Sequence, residues 1–129
     1  MQTREQRFAD QVYQQVAQVK LDKQKAKEYG SMSHKLPILI RTAGLAQALS
    51  FVEARKRPAL NQLLQDLAAT VGKNGKDVLL DRARNAQLEE YMLLTQHVMD
   101  ALLWYKRFAQ SVLNIDATTA AENRGDNEQ

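Results

Sequence analysis

Catalysis needs a base, a nucleophile or a metal ligand held in a cleft, and this chain offers few residues for any of them. His34 and His97 are the two histidines, and neither has a second histidine three or four residues away to build a metal-binding helix face. His97 falls beside an apolar stripe, where a half-buried structural ring is the simpler reading than a ligand. Ser31 and Ser33 flank His34 in sequence, but adjacency does not make triad geometry. Glu89 and Glu90 are consecutive, so on a helix they point in different directions and read as a solvated face. Gly72-Lys73-Asn74-Gly75-Lys76 lacks the spacing of a phosphate loop and has no strand before it. Cysteine is absent, which excludes a disulfide scaffold, a thiolate metal site and a cysteine nucleophile. The chain therefore reads as non-catalytic, with no cofactor and no metal.

The cations are the better lead. Lys20, Lys23 and Lys27 step by three and four, which puts three ammonium groups on one face of a helix, with Lys25 nearby. Arg55-Lys56-Arg57 closes another helix, where cations also complement the helix dipole. Lys106-Arg107 lies among Trp104, Tyr105 and Phe108. A basic pair interleaved with aromatics can grip a phosphate and stack a base. The competing reading puts Trp104 and Phe108 in the core and the two cations on its rim.

Charge distribution strengthens the lead. The 129 residues carry a formal +3, yet residues 1–115 hold 17 basic against 11 acidic side chains. From Asp116 onward, Asp116, Glu122, Asp126 and Glu128 face Arg124 alone. A basic body suits a polyanionic partner such as nucleic acid, although an ordinary soluble basic protein has the same composition. The N-terminal Met1–Arg7 is charged, and the longest apolar run, Leu36–Ile40, is far short of the roughly 20 residues that span a bilayer. A cytoplasmic protein with no membrane contact is expected.

The elements that must position these residues are helical throughout. Phe8, Val12, Val16 and Val19, widened by Tyr13 and Ala17, make one stripe of a helix over about Arg4–Lys25. A second runs from near Lys25 to Ala43, with Met32, Leu36, Leu39 and Ile40 inward and a kink or restart expected at Pro37. Gly44 suits its stop. A third, Leu45 to about Lys56, buries Leu45, Ala48, Leu49 and Val52, and Pro58 opens a fourth lined by Leu60, Leu63, Leu64, Leu67 and Val71. Gly72–Gly75 forms an interhelical loop before a short piece over Lys76–Arg84. The last helix, about Ala86–Leu113, carries Leu88, Tyr91, Thr95, Val98, Leu102, Tyr105, Ala109 and Val112, with Met92, Leu94, Met99, Leu103 and Phe108 on adjacent faces. It is expected to be buried on several sides as the central element. The expected fold is all-α: a single compact bundle of five to six helices over residues 1–115 with a long C-terminal core helix, then an acidic disordered tail over 116–129.

Two blocks are more specific than any of this. Lys27-Glu28-Tyr29-Gly30-Ser31 leads into His34-Lys35-Leu36-Pro37-Ile38-Leu39-Ile40-Arg41-Thr42-Ala43-Gly44-Leu45-Ala46-Gln47-Ala48-Leu49-Ser50-Phe51, and Trp104-Tyr105-Lys106-Arg107-Phe108-Ala109 follows late. In order, over residues 3–114, the set resembles the small all-helical subunit of the type III-B CRISPR effector, the Cmr complex. The acidic tail has no counterpart in that pattern. The resemblance implies a non-catalytic structural subunit for antiviral defence. Copies would stack in a minor filament beside the filament that carries the CRISPR RNA, with backbone and large subunits as partners and the guide–target RNA duplex between. It implies that basic residues hold RNA by its phosphates while base pairing reads the sequence. Lys35, Arg41, Lys106 and Arg107 lie in the matching blocks and are the first candidates, followed by Lys23 and Lys27. Leu36, Phe51 and Trp104 read as core.

Two rivals remain at this level. A small helical DNA-binding regulator would use the helices around Gly44, although Leu45–Val52 is apolar for a recognition helix. A protein-binding adaptor would use the basic face on acidic partners. Neither explains the Lys-Leu-Pro and Trp-Tyr-Lys-Arg-Phe blocks.

Overall fold

Thr3 starts the first helix by a reciprocal cap: its hydroxyl accepts the Gln6 amide at 3.1 Å while Gln6 Oε1 accepts the Thr3 amide at 2.9 Å. In the computed structural model, which describes residues 1–118, six helices follow: α1 (Arg4–Val19), α2 (Lys23–Ala43), α3 (Leu45–Ala54), α4 (Pro58–Thr70), α5 (Lys76–Asn85) and α6 (Leu88–Ser111). Residues 119–129, most of the expected acidic tail, lie outside the described residues.

The first boundary differs from expectation. Asp22 accepts the Lys25 amide at 3.2 Å as the N-cap of α2, so the chain turns at Lys20–Asp22 rather than continuing to Lys25. At Pro37 no restart occurs, because α2 is one helix on both sides of it. A proline removes one donor and crowds the preceding turn. Pro37 is buried, and α2 packs on α1, α3, α4 and α6, so tertiary contacts hold the helix on either side of it.

Gly44 ends α2 and opens α3 with φ +88°, a conformation that costs a residue with a Cβ. Its amide donates to Ile40 O at 2.8 Å, and an added Cβ would stand 3.3 Å from the Tyr91 hydroxyl, which accepts the Ala46 amide. A glycine here thus fixes where α2 and α3 meet the start of α6. Beyond the fourth helix, Gln65 Oε1 accepts the Lys76 amide at 2.9 Å and caps α5 across the Gly72–Gly75 loop.

The long C-terminal α6 is a core helix, as expected, and it shares the centre of the bundle with α4. The thirteen residues of α4 pack against every other helix, and Leu63, Leu64, Leu67 and Ala68 are wholly buried. The long α6 lies chiefly along α1 and α2 and buries Leu94, Val98, Ala101, Leu102, Tyr105 and Ala109. Its first turns are open: Leu88 is 71% exposed, and Met92 and Leu93 are also exposed. Tyr91 marks the level at which α2 ends at Gly44, so Leu88, at the start of α6, lies beyond the end of α2.

One buried polar network ties four helices together. Tyr29 of α2 donates to Asp66 Oδ2 of α4 at 2.7 Å, and Gln62 donates to Oδ1 at 2.8 Å. Tyr105 of α6 donates to Gln15 of α1 and shares a 3.0 Å bond with Thr70, while Gln15 donates to Asp66 O at 3.1 Å. Burial pushes both tyrosine hydroxyls upward, so they remain protonated donors at neutral pH.

Candidate nucleic-acid interface

The second helix carries most of the candidate cations. Along α2, Lys23, Lys25, Lys27, Lys35 and Arg41 face a single acid, Glu28, and that carboxylate is engaged by Arg57. The Glu28 bond raises the already high pKa of Arg57, so the guanidinium stays charged. At 3.6 residues per turn, Lys23, Lys27 and Arg41 fall within about 40° of one another over about 27 Å of helix. All three are exposed. Lys35 projects from a different part of α2 and is half-buried. The sequence candidates on α2 therefore form a row of three with Lys35 to its side.

The pair on α6 divides. Arg107 is exposed and lays its guanidinium over Trp104 at 5.1 Å from the ring centroid; Trp104 in turn stacks on Phe108 at 5.7 Å. Lys106 is half-buried. Trp104 is half-buried against the core, so the tryptophan supports the arginine and the cation sits at the rim. α6 runs antiparallel to α2, since Tyr91 meets Gly44 and Ile115, just past the end of α6, meets Gly30.

Other expectations change. Phe51 is 53% exposed on the outer side of α3, opposite Leu45, Ala48, Leu49 and Val52, and is not a core residue. Its apolar character suggested burial, but position decides it: Phe51 lies off the stripe that faces α4 and α5. Leu36 is fully buried as expected. Tyr13 is half out of α1 and meets Phe108 edge-on at 5.4 Å. Lys20, Lys23 and Lys27 do not share one helix; they straddle the α1–α2 turn, and Lys25 points instead toward Asp22 and Asp66 around a separate cavity. Arg57 is committed to Glu28.

The structure also shows a feature that periodicity could not reveal. After α6 the chain turns at Asn114, φ +61°, and lies across α2 as a strap. Ile115 donates its amide to Ala109 O at 2.9 Å and accepts from His34 Nε2 at 2.7 Å. A carbonyl only accepts, so the Nε2 of His34 carries the proton. The Ile115 side chain covers Gly30 so closely that a Cβ there would be 3.0 Å from Cγ1. The glycine of the Tyr29-Gly30 pair is the sequence signal for this close approach. Val112–Ile115 then form one wall of a surface cavity of about 450 Å³, whose other wall holds Lys20, Lys23 and Lys27.

The histidines carry no visible chemistry. His34 serves the strap, and Asp100, three residues beyond His97, is engaged by Arg4 at 2.6 Å and by Gln96. Glu90 is held by Arg82, whose hydrogen bond lowers the carboxyl pKa. Among the described residues no group of three His, Asp or Glu converges as a metal site, and no helix is long and apolar enough to cross a membrane.

Comparison with known proteins agrees with this architecture. A sequence profile of the family described as CRISPR-associated protein (Cas_Cmr5) matches residues 4–112, the span of all six helices. The CRISPR system Cmr subunit Cmr5 of Thermus thermophilus is 41% identical over 113 residues, which cover 88% of this chain and 98% of that protein. A crystal structure of a CRISPR-associated Cmr5 family protein, also from Thermus thermophilus, superposes with a TM-score of 0.81 at 40% identity, covering 86% of this chain and 98% of the other. The ordered blocks of the sequence, the six-helix architecture and these matches agree: the chain belongs to the Cmr5 family of CRISPR-associated proteins.

Proposed function

We propose that this chain is a non-catalytic small subunit of a type III-B (Cmr) CRISPR effector in the cytoplasm. Its copies stack in a minor filament beside the backbone and large subunits, and it helps to hold the guide–target RNA duplex. The observation that carries the reading is the cationic surface of α2, which bears five cations against one neutralised acid, with Arg107 exposed over Trp104 near the end of α6. Phosphate contacts of this kind position a duplex without reading bases, and each is weak in salt but cumulative over stacked copies. Lys23, Lys27 and Arg41 supply one row; Lys35, Lys106 and Arg107 supply the flanks.

The test is charge reversal at Lys35, Arg41, Lys106 and Arg107 in the assembled effector. Copurification of the other subunits establishes that the variant still assembles. Capture of target RNA at physiological salt is expected to fall at least tenfold and to recover at low salt. Assembly with unchanged target capture would discard the reading. Affinity purification from the native cell supplies the second check: effector subunits with processed CRISPR RNA are expected, and chromosomal DNA at defined sites without them would point to a regulator.

A further inference from the structure

The strap builds a cavity with two unlike walls. Val112, Leu113 and Ile115 line one side of the 450 Å³ surface cavity, and Lys20, Lys23 and Lys27 line the other. The three apolar side chains are only half-buried, so each keeps a face to the cavity. Their wall is fixed in place: the Ile115 amide donates to Ala109 O at 2.9 Å, its carbonyl accepts from His34 Nε2 at 2.7 Å, and its side chain lies on Gly30. The lysine wall is uncommitted. Lys20, Lys23 and Lys27 make no ion pair among the described residues, and neither Asp22 nor Asp116 lines the cavity. Asp22 instead caps α2 and borders the separate cavity that holds Lys25 and Asp66. The positive character therefore belongs to the three side chains and not to the helix end.

Ammonium groups facing aliphatic side chains across one cavity select a ligand that is anionic on one side and apolar on the other. The volume falls within the roughly 300–1,000 Å³ of sites that enclose a small organic group. Lys23 and Lys27 stand about 6 Å apart along α2, a spacing on the scale of neighbouring phosphates in a strand. A duplex offers phosphates but keeps its base faces stacked inside, so it leaves the aliphatic wall unfilled. An unpaired nucleotide offers both, phosphates to the lysines and a base face to the wall.

We infer that this cavity seats one unpaired nucleotide of a single-stranded RNA, its phosphates on Lys20, Lys23 and Lys27 and its base on Val112, Leu113 and Ile115. The choice of RNA rests on the proposed function. The inference goes beyond it in the state of the strand: the row along α2 holds paired RNA by its phosphates, whereas the cavity takes RNA where pairing stops. Lys20 separates the two, because it lines the cavity and stands outside α2.

Photocross-linking of the full chain at low salt to a short oligouridylate carrying 4-thiouridine, mapped by mass spectrometry, tests the site. Links to residues 112–115 or 20–27 are expected from the single strand, and severalfold fewer from the same strand annealed to its complement. Links confined to other parts of α2 or α6, equal links from the duplex, or no links overturn the site. Affinity for the same two RNAs gives a second readout. Lys20→Ala, at an exposed position, is expected to weaken the single strand severalfold and to leave the duplex unchanged; equal loss on both, or loss on neither, overturns it. Charge reversal at Lys35, Arg41, Lys106 and Arg107 leaves this cavity intact, so the two readings fail separately. Strap links with unchanged target capture by the effector keep the nucleotide site and discard the duplex-holding role, and lost capture without strap links does the reverse.

Discussion

Asp66 shows how one half-buried carboxylate can set a pH dependence. Burial raises its pKa despite hydrogen bonds from Tyr29 and Gln62 and the nearby Lys25 charge, which act in the opposite direction. Its folded pKa thus lies above the unfolded value of about 3.9, so its stabilising contribution is full below that value and is lost as pH rises through the folded pKa. Asp66→Asn keeps an acceptor and removes the titration. Denaturant midpoints measured from pH 3 to 7 are expected to shift in favour of the variant, relative to the native chain, as pH rises. A constant difference across that range would show that Asp66 does not titrate differently on folding. Phe51 supplies a second test at this scale. As an exposed residue, Phe51→Ser is expected to change stability by less than about 0.5 kcal/mol, whereas Leu49→Ala on the same helix costs about 2–5 kcal/mol. Chemical denaturation of both variants compares the two environments directly. Leu49 was legible as core from its place in the stripe, while Phe51 was misread because residue type outweighed position.

At the scale of elements, the strap on α2 depends on a missing side chain. Gly30→Ala adds helix propensity worth about 0.8–1 kcal/mol, but its Cβ would approach Ile115 Cγ1 to 3.0 Å. Ile115 lies in an irregular segment beyond the last helix and can move aside, so little net change in melting temperature is expected. The strap itself should loosen. Amide hydrogen exchange at Ile115, whose N–H bonds to Ala109 O, is expected to accelerate severalfold in the variant. Unchanged protection with unchanged stability would mean that the contact is softer than its geometry. The sequence displayed the helices of this region through their 3.6-residue period, but the strap has no period. Its hydrogen bond joins His34 to Ile115 across 81 positions and becomes visible only when α6 has folded back along α2.

For the whole molecule, α4 packs against every other helix, and the proposed RNA contacts lie on the outer surface of α2 and the last turns of α6. Leu63 is wholly buried on the helix that touches all the others, so Leu63→Ala is expected to cost about 2–5 kcal/mol and to melt the bundle as one unit. A single coincident transition by far-UV circular dichroism and by Trp104 fluorescence checks that statement. The surface cations should leave that melt nearly unchanged. On the proposed function they instead set the salt dependence of RNA capture in the assembled effector, and each lost phosphate contact is expected to reduce the slope of log K against log salt by about 0.7–0.9. Binding measured between about 50 and 300 mM salt separates this from a folding defect, which would lower affinity without changing the slope.

The sequence by itself determined the helical class, nearly all the inward stripes and the family, because each rests on local periodicity or on an ordered set of residues that no folding step alters. It also determined that the body is basic. Tertiary structure decided how far each helix is covered: the short α4 is surrounded while the longer α6 leaves Leu88 and Met92 open, and helix length carries no information about neighbours. It decided too that Lys20, Lys23 and Lys27 converge across a turn, that α2 passes through Pro37, and that the chain after α6 crosses Gly30. Those outcomes depend on contacts between residues far apart in the chain, which only packing brings together.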